Sequence, residues 1–261
     1  MLKRRLIPVL FLKNGLIVRS EEFSDFREFG NPINQLERLS EWNADELIYV
    51  DITRSGDYDL KRDDHKINRR SNITEILRDI AKACFMPLTF GGRIRTLEQV
   101  DDFMANGADK VIINTGAYLD KNLIKQVANK YGTQAVVGGI DVKAESGKYN
   151  LYIENGSTLV PDDPLDYARR AQESGAGEIF LNFINRDGMA TGYDCEYIQK
   201  IVDAVSIPVI ACGGAGTFNH FVEVMEKTTV AAVAAGNIFN FTEQAYVRAK
   251  TQLRSANINV R

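Results

Sequence analysis

Short runs of β-branched and aliphatic residues alternate with amphipathic segments along the whole chain. The apolar pattern therefore switches repeatedly between a strand-like and a helix-like period. The runs predicted as strands are Leu6–Phe11, Glu46–Asp51, Pro87–Phe90, Lys110–Asn114, Ala135–Ile140, Glu178–Asn182, Pro208–Ala211 and Val230–Ala234. Apolar stripes at helical spacing predict helices over Ile73–Ala83, Leu97–Asn106, Asn122–Tyr131, Leu165–Ser174, Tyr193–Val205 and Phe218–Lys227. Thr96 followed by Gln99 is a capping box, and Gly107 and Gly175 stand just past helix ends. Strands and helices in this alternation, without a Pro/Gly-rich linker, predict one α/β (β/α)8 TIM barrel spanning residues 1–261. A doubly wound sheet needs about two fewer strands and a GxGxxG after the first strand, which is missing.

Aligning the chain with itself divides it into half-barrels of approximately 1–130 and 131–261. Ala44–Gly56 lines up with Ala176–Gly188, matching Glu46 with Glu178, Arg54 with Arg186 and Gly56 with Gly188. Met86–Gly116 lines up with Ile207–Asn237, each with a proline, then Gly-Gly, then a threonine opening a helix. Leu6–Lys13 pairs with Gln134–Lys143 and sets Phe11 opposite Asp141. Such a repeat implies a pseudo-twofold axis and two equivalent phosphate cradles across one mouth, suited to a ligand with phosphate at both ends.

Composition narrows the class. With 261 residues, 44% hydrophobic and 26% charged, the chain buries a large core and is not disordered. A net charge of −3 gives no footprint for nucleic acid. Apolar runs such as Val209–Cys212 and Val230–Ala235 are far too short to span a membrane, and the opening MLKRRLIPVLFLKNG lacks a signal-peptide core. A cytoplasmic protein is expected. Cys84, Cys195 and Cys212 are scattered, which predicts reduced thiols and no metal site. No cofactor is indicated.

In a (β/α)8 barrel the active site forms at the C-terminal strand ends. Gly91-Gly92 and Gly213-Gly214 stand there and let backbone N–H groups approach an anion. Asn114-Thr115 and Gly236-Asn237 complete the two cradles. One Gly-Gly pair alone is a turn, but pairs recurring in both halves favour phosphate. Asp141 ends the fifth strand and is the candidate general base or acid; a salt bridge to Lys143 is the plainer alternative. Asp51 and Asp187-Gly188 are weaker candidates, since Asp and Gly also make ordinary turns. At the opposite face, Arg5, Glu46, Lys110 and Glu178 form a ring of two cations and two anions, for which a stabilising role is the default.

The runs KRRLIPVL, ADELIYVDIT, GGRIRT, GADKVIINT, TQAVVGGID, GAGEIFLN, NRDG followed by GYD, and VIACGGAG identify a resemblance from Lys3 to about Ala245. The chain resembles HisF, the cyclase subunit of imidazole glycerol phosphate synthase. The resemblance implies a substrate with two phosphate ends and ammonia received from a HisH-type glutaminase docked on the N-terminal face. It further implies that Arg5, Glu46, Lys110 and Glu178 gate the ammonia, with Thr89 along the route. Phosphate contacts carry over to Gly92, Asn114, Thr115, Gly213 and Gly214.

The departures are equally specific. The family's first-strand aspartate is Phe11, its loop-one lysine is Arg19, and the threonine or serine after strand six is Asn182. Asn185 replaces an aspartate, Gly236 replaces a serine, and a charged stretch, Asp57–Arg70, lengthens the second loop. With CFMP, ENG and ACGGAG, these features resemble HisF-like paralogues of bacterial surface-polysaccharide clusters, which accompany a HisH-like glutaminase and a sugar amidotransferase.

Three readings follow. The chain is an ammonia-receiving subunit of a glutamine-dependent amidotransferase that makes an amidino sugar for lipopolysaccharide O-antigen, or a histidine-biosynthesis cyclase relying on Asp141 alone, or a non-catalytic ammonia conduit.

Overall fold

The computed structural model of the chain describes residues 3–53, 58 and 72–261. The charged loop stretch Asp57–Arg70 therefore lies, apart from Tyr58, outside the described residues, as do Arg54 and Gly56 of the repeat. The strands are β1 (Arg5–Lys13), β2 (Leu16–Glu21), β3 (Asp25–Gly30), β4 (Leu47–Asp51), β5 (Leu88–Gly91), β6 (Lys110–Ile113), β7 (Val136–Glu145), β8 (Lys148–Ile153), β9 (Thr158–Val160), β10 (Glu178–Phe183), β11 (Val209–Cys212) and β12 (Ala232–Ala235). The helices are α1 (Pro32–Glu41), α2 (Ile73–Ala83), α3 (Leu97–Ala105), α4 (Thr115–Leu119), α5 (Leu123–Tyr131), α6 (Pro164–Glu173), α7 (Cys195–Ala204), α8 (Phe218–Lys227), α9 (Ile238–Phe241) and α10 (Ala245–Ser255).

Strands β1, β4, β5, β6, β7, β10, β11 and β12 pair in that order, all parallel, and β12 returns to β1. This is a closed eight-stranded barrel with surrounding helices. Alternate residues of each strand face different cores, so both faces are apolar. On β1, Leu6, Leu10 and Leu12 pack into the layer shared with the helices, while Ile7, Val9 and Phe11 enter the barrel interior. Ile48, Ile112, Val137, Phe180 and Ile210 join them inside.

All the predicted strands and helices form, with ends moved by a few residues. The predicted set lacks α1, α10, the short helices α4 and α9, and two antiparallel extensions, β2–β3 after β1 and β8–β9 after β7. β3 is mostly exposed, with only Phe26 and Gly30 partly covered, so it has no buried face to give a period. Its strand conformation comes from its pairing with β2.

Thr96 accepts from Gln99 N at 3.4 Å and Gln99 returns a bond to Thr96 N at 3.3 Å. Arg95 N also donates to Gln99 Oε1, at 2.7 Å. Thr96→Ala is expected to lower stability by about 1 kcal/mol. Urea unfolding measures this, and an unchanged midpoint would mean that the box contributes nothing.

Candidate active site at the barrel mouth

The C-terminal strand ends open into a cavity of about 310 Å³. Its walls carry Phe11, Phe23, Phe26 and Phe180, and its polar lining includes Asn114, Thr115, Asp141 and Asn182. Asp141 lies inside the barrel rather than on the surface, because β7 faces it toward the axis beside Asn182 of β10. Asn114 Nδ2 donates to Asp141 Oδ2 at 2.9 Å. Burial raises the Asp141 pKa to about 7, the charge of Asp187 adds to the rise, and the Asn114 bond opposes it. The surface alternative fails, since Lys143 pairs with Glu145 at 3.2 Å. A carboxyl group titrating near neutrality in a cleft is suited to accepting or releasing a proton.

Phe11 lines the same cavity. A Cβ placed on Gly236 would sit 3.5 Å from the Phe11 ring, so the glycine at the end of β12 leaves the ring its space. Phe11 and Gly236 are thus neighbours, and the ring forms part of an aromatic wall of the mouth.

The predicted phosphate residues divide into two groups. Gly92, Asn114 and Thr115 line the cavity, joined by Arg93 and Arg95. Gly91, Asp187, Gly188, Gly213, Gly214, Gly236 and Asn237 stand at strand ends but are not part of that lining. Gly92 has φ +90° and a Cβ there would meet Asp51 O at 2.0 Å, so packing alone demands glycine. Over the second half sits the β2–β3 hairpin. Ser20 Oγ donates to Asp187 Oδ2 at 2.5 Å, Glu22 N to Asp187 O at 3.0 Å, and Asn237 Nδ2 to Ser20 O at 3.0 Å. Burial raises the Asp187 pKa to about 6, against the Ser20 and Phe23 hydrogen bonds.

Asp51 takes a structural part. Its buried carboxylate accepts from Thr53 N at 3.0 Å and Tyr58 Oη at 3.1 Å, closing the turn after β4. Sequence reasoning missed Arg93, Arg95, Glu154, Phe23, Phe26 and Phe180, all of which line the cavity. The arginines were legible. The sequence itself offered the signal, because GGR stands where the other half has CGG. Glu154 comes from the β8–β9 turn, which no pattern placed near the mouth; it pairs with Arg95 at 2.8 Å.

At the opposite face, Arg5 begins β1, Lys110 begins β6, Glu178 begins β10 and Glu46 directly precedes β4. Arg5 bridges Glu46 at 3.0 Å and Glu178 at 3.2 Å, and Lys110 reaches Glu178 at 2.7 Å. Arg261 adds a further contact to Glu46, at 3.5 Å. Burial alone would lower the Arg5 pKa, but the two carboxylates outweigh it and hold it above its ordinary value. Thr89 is buried on β5, in register with Ile48 on one side and Lys110 on the other. Among the described residues no group of three or more His, Cys, Asp or Glu is placed to hold a metal, and no helix is long and apolar enough to cross a membrane.

Fold and site together define a (β/α)8 barrel with a half-buried carboxyl group and two arginines at one mouth and an ion ring at the other. Residues 5–245 match the family model described as histidine biosynthesis protein. The chain is 39% identical over all of its 261 residues to the imidazole glycerol phosphate synthase subunit HisF of Chlorobium phaeobacteroides, and 39% identical to that of Chlorobaculum parvum, covering each relative completely. It is also 40% identical over 242 residues, 92% of each chain, to a Pseudomonas aeruginosa protein named for the imidazole glycerol phosphate synthase subunit hisF2. The chain belongs to the histidine-biosynthesis family of barrels, as a HisF-type subunit.

Proposed function

We propose that the chain is the ammonia-receiving subunit of a glutamine-dependent amidotransferase, in which a HisH-like glutaminase docks on the N-terminal barrel face. Ammonia then passes the ring of Arg5, Glu46, Lys110 and Glu178, skirts Thr89, and reaches the mouth. The apolar interior between ring and mouth, with Ile7, Val9, Ile48 and Ile112, suits a neutral molecule and opposes an ammonium ion. The acceptor is a phosphorylated small molecule held at Gly92, Asn114 and Thr115, and Asp141 handles the proton released as nitrogen attacks. The product we infer is an amidino sugar for a bacterial surface polysaccharide, made together with a sugar amidotransferase.

The observation that carries this reading is Phe11. It stands where the repeat would place the partner of Asp141, and a phenyl ring cannot exchange protons. A cyclase that needs two carboxylates has lost one here, while the ion ring is complete.

The histidine-biosynthesis cyclase remains the second reading, favoured by full-length similarity to HisF subunits and by the raised pKa of Asp141. The test is to supply the purified chain with ammonium salt and the cyclase substrate of histidine biosynthesis. Wild type is expected to form no imidazole glycerol phosphate at enzymatic rates, because a lost acid or base costs roughly 10²–10⁴-fold. Phe11→Asp is expected to gain activity. Ordinary turnover by the wild type would decide for the cyclase. A glutaminase partner that neither binds nor is stimulated would leave the ammonia reading without support.

A further inference from the structure

The two sides of the mouth are chemically unequal. The internal repeat promises a second phosphate cradle around Gly213, Gly214 and Asn237, but none of these residues lines the cavity. The β2–β3 hairpin occupies the polar groups there: Asn237 Nδ2 is bound to Ser20 O, and the Ser20 hydroxyl is committed to Asp187. Beyond them, Gly216 N donates to His220 Nδ1 at 3.2 Å. From β10 round to β1 the cavity is walled instead by Phe180, Phe11, and Phe23 and Phe26 of the hairpin. Phe23 reaches across to the β8–β9 turn, where a Cβ on Gly156 would stand 2.9 Å from its ring.

One polar side chain on this aromatic side is left without a partner. Asn182, two residues beyond Phe180 on the same face of β10, lines the cavity and is only 3% exposed, yet its Oδ1 accepts no hydrogen bond. Its neighbour in register on β7 is Asp141. A buried acceptor left unpaired costs stability, so its place in the lining points to a donor that arrives with a ligand. An amide offers an acceptor and a donor side by side. Its complement is a planar ring with an N–H next to a carbonyl. Phenyl walls suit such a ring, whereas the hydroxyl groups of a bare sugar would go unpaired against them.

We propose that the aromatic side of the mouth binds a uracil-type base: Asn182 pairs with the ring N–H and its adjoining carbonyl, and the phenylalanines enclose the ring. The ligand is then a nucleotide with phosphate at one end only, and its base takes the place of the second phosphate that the internal repeat suggests. This names the chemical class of the acceptor, and it rests on the reading of the mouth as the site of a phosphorylated acceptor.

The test titrates the intact chain calorimetrically with the 5′-monophosphates of uridine, cytidine and 3-methyluridine, and with ribose 5-phosphate. Uridine monophosphate is expected to bind at least about tenfold more tightly than ribose 5-phosphate, because only the nucleotide has a ring to enclose. It is expected to exceed the other two nucleotides by about tenfold, since cytosine has no N–H at that ring position and methylation removes it, which leaves Asn182 unpaired. Asn182→Leu is close in size and removes the orphaned acceptor, so it folds with an unchanged or higher Tm. It is expected to bring uridine monophosphate down to the level of cytidine monophosphate and to leave ribose 5-phosphate unchanged. Should that variant fail to fold, the 3-methyl comparison on the wild type still reads the same contact. The proposal is overturned if the cytidine or 3-methyluridine nucleotide binds as tightly as that of uridine, if Asn182→Leu weakens ribose 5-phosphate equally, or if no nucleotide binds. A chain that stimulates a glutaminase yet does not distinguish the bases keeps the ammonia reading and loses the base site. A chain that selects uracil through Asn182 but stimulates no glutaminase does the opposite.

Discussion

Asp141→Asn is expected to lower ammonium-dependent turnover by roughly 10²–10⁴-fold while making the protein more stable above pH 7. Both effects have one cause. The cavity holds the Asp141 pKa at about 7 against an ordinary 3.8, and burial is the main reason. The folded state therefore keeps a proton that the unfolded chain has already released. Stability falls as pH rises through the window between those two values, and the cost is complete above the upper one. A difference of about three units corresponds to at most about 4 kcal/mol. The amide in Asp141→Asn keeps a partner in Asn114 once that side chain turns, and it carries no charge to desolvate. Urea unfolding at pH 4.5 and pH 8 separates the contributions. The variant should exceed wild type by only about 1 kcal/mol at the lower pH, just inside that window, and by a few kcal/mol at the higher; equal differences at both would remove the desolvated carboxylate from the explanation. In turnover, wild-type activity should rise with pH through about 7 if Asp141 acts as the base.

Arg5→Ala is expected to cost about 3 kcal/mol or more in stability, because it leaves charged partners buried without compensation. Glu46 and Glu178 have side chains only 7% and 13% exposed, and Arg5 is the group that joins them. Lys110 still holds Glu178 and Arg261 still approaches Glu46, which keeps the loss finite. The ring also allows a functional separation. Glutamine-dependent turnover should fall well below turnover supported by added ammonium salt, since ammonium enters from the open mouth. Equal loss from both nitrogen sources would assign the ring to stability alone.

The half-barrel repeat is legible to the residue, and it sets Phe11 opposite Asp141. It was also misleading in one respect. The Gly-Gly pairs look equivalent in the sequence, yet they are offset by one position, which puts Arg93 opposite Gly214. Strand positions were clear because parallel strands buried on both faces are continuous apolar runs, as in β1. The β2–β3 hairpin was not, because β3 owes its conformation to a partner strand rather than to a buried face.

Residue type at periodic positions is enough to read the barrel, its twofold repeat, the members of the ion ring and the phenylalanine opposite Asp141. Tertiary structure alone decided which strand-end residues share the cavity. Glu154 reaches Arg95 across a fold of 59 residues, and the hairpin carries Ser20 onto Asp187 and Asn237. The pKa of Asp141 belongs to the same class, because desolvation depends on every neighbour that excludes water and no local pattern encodes that.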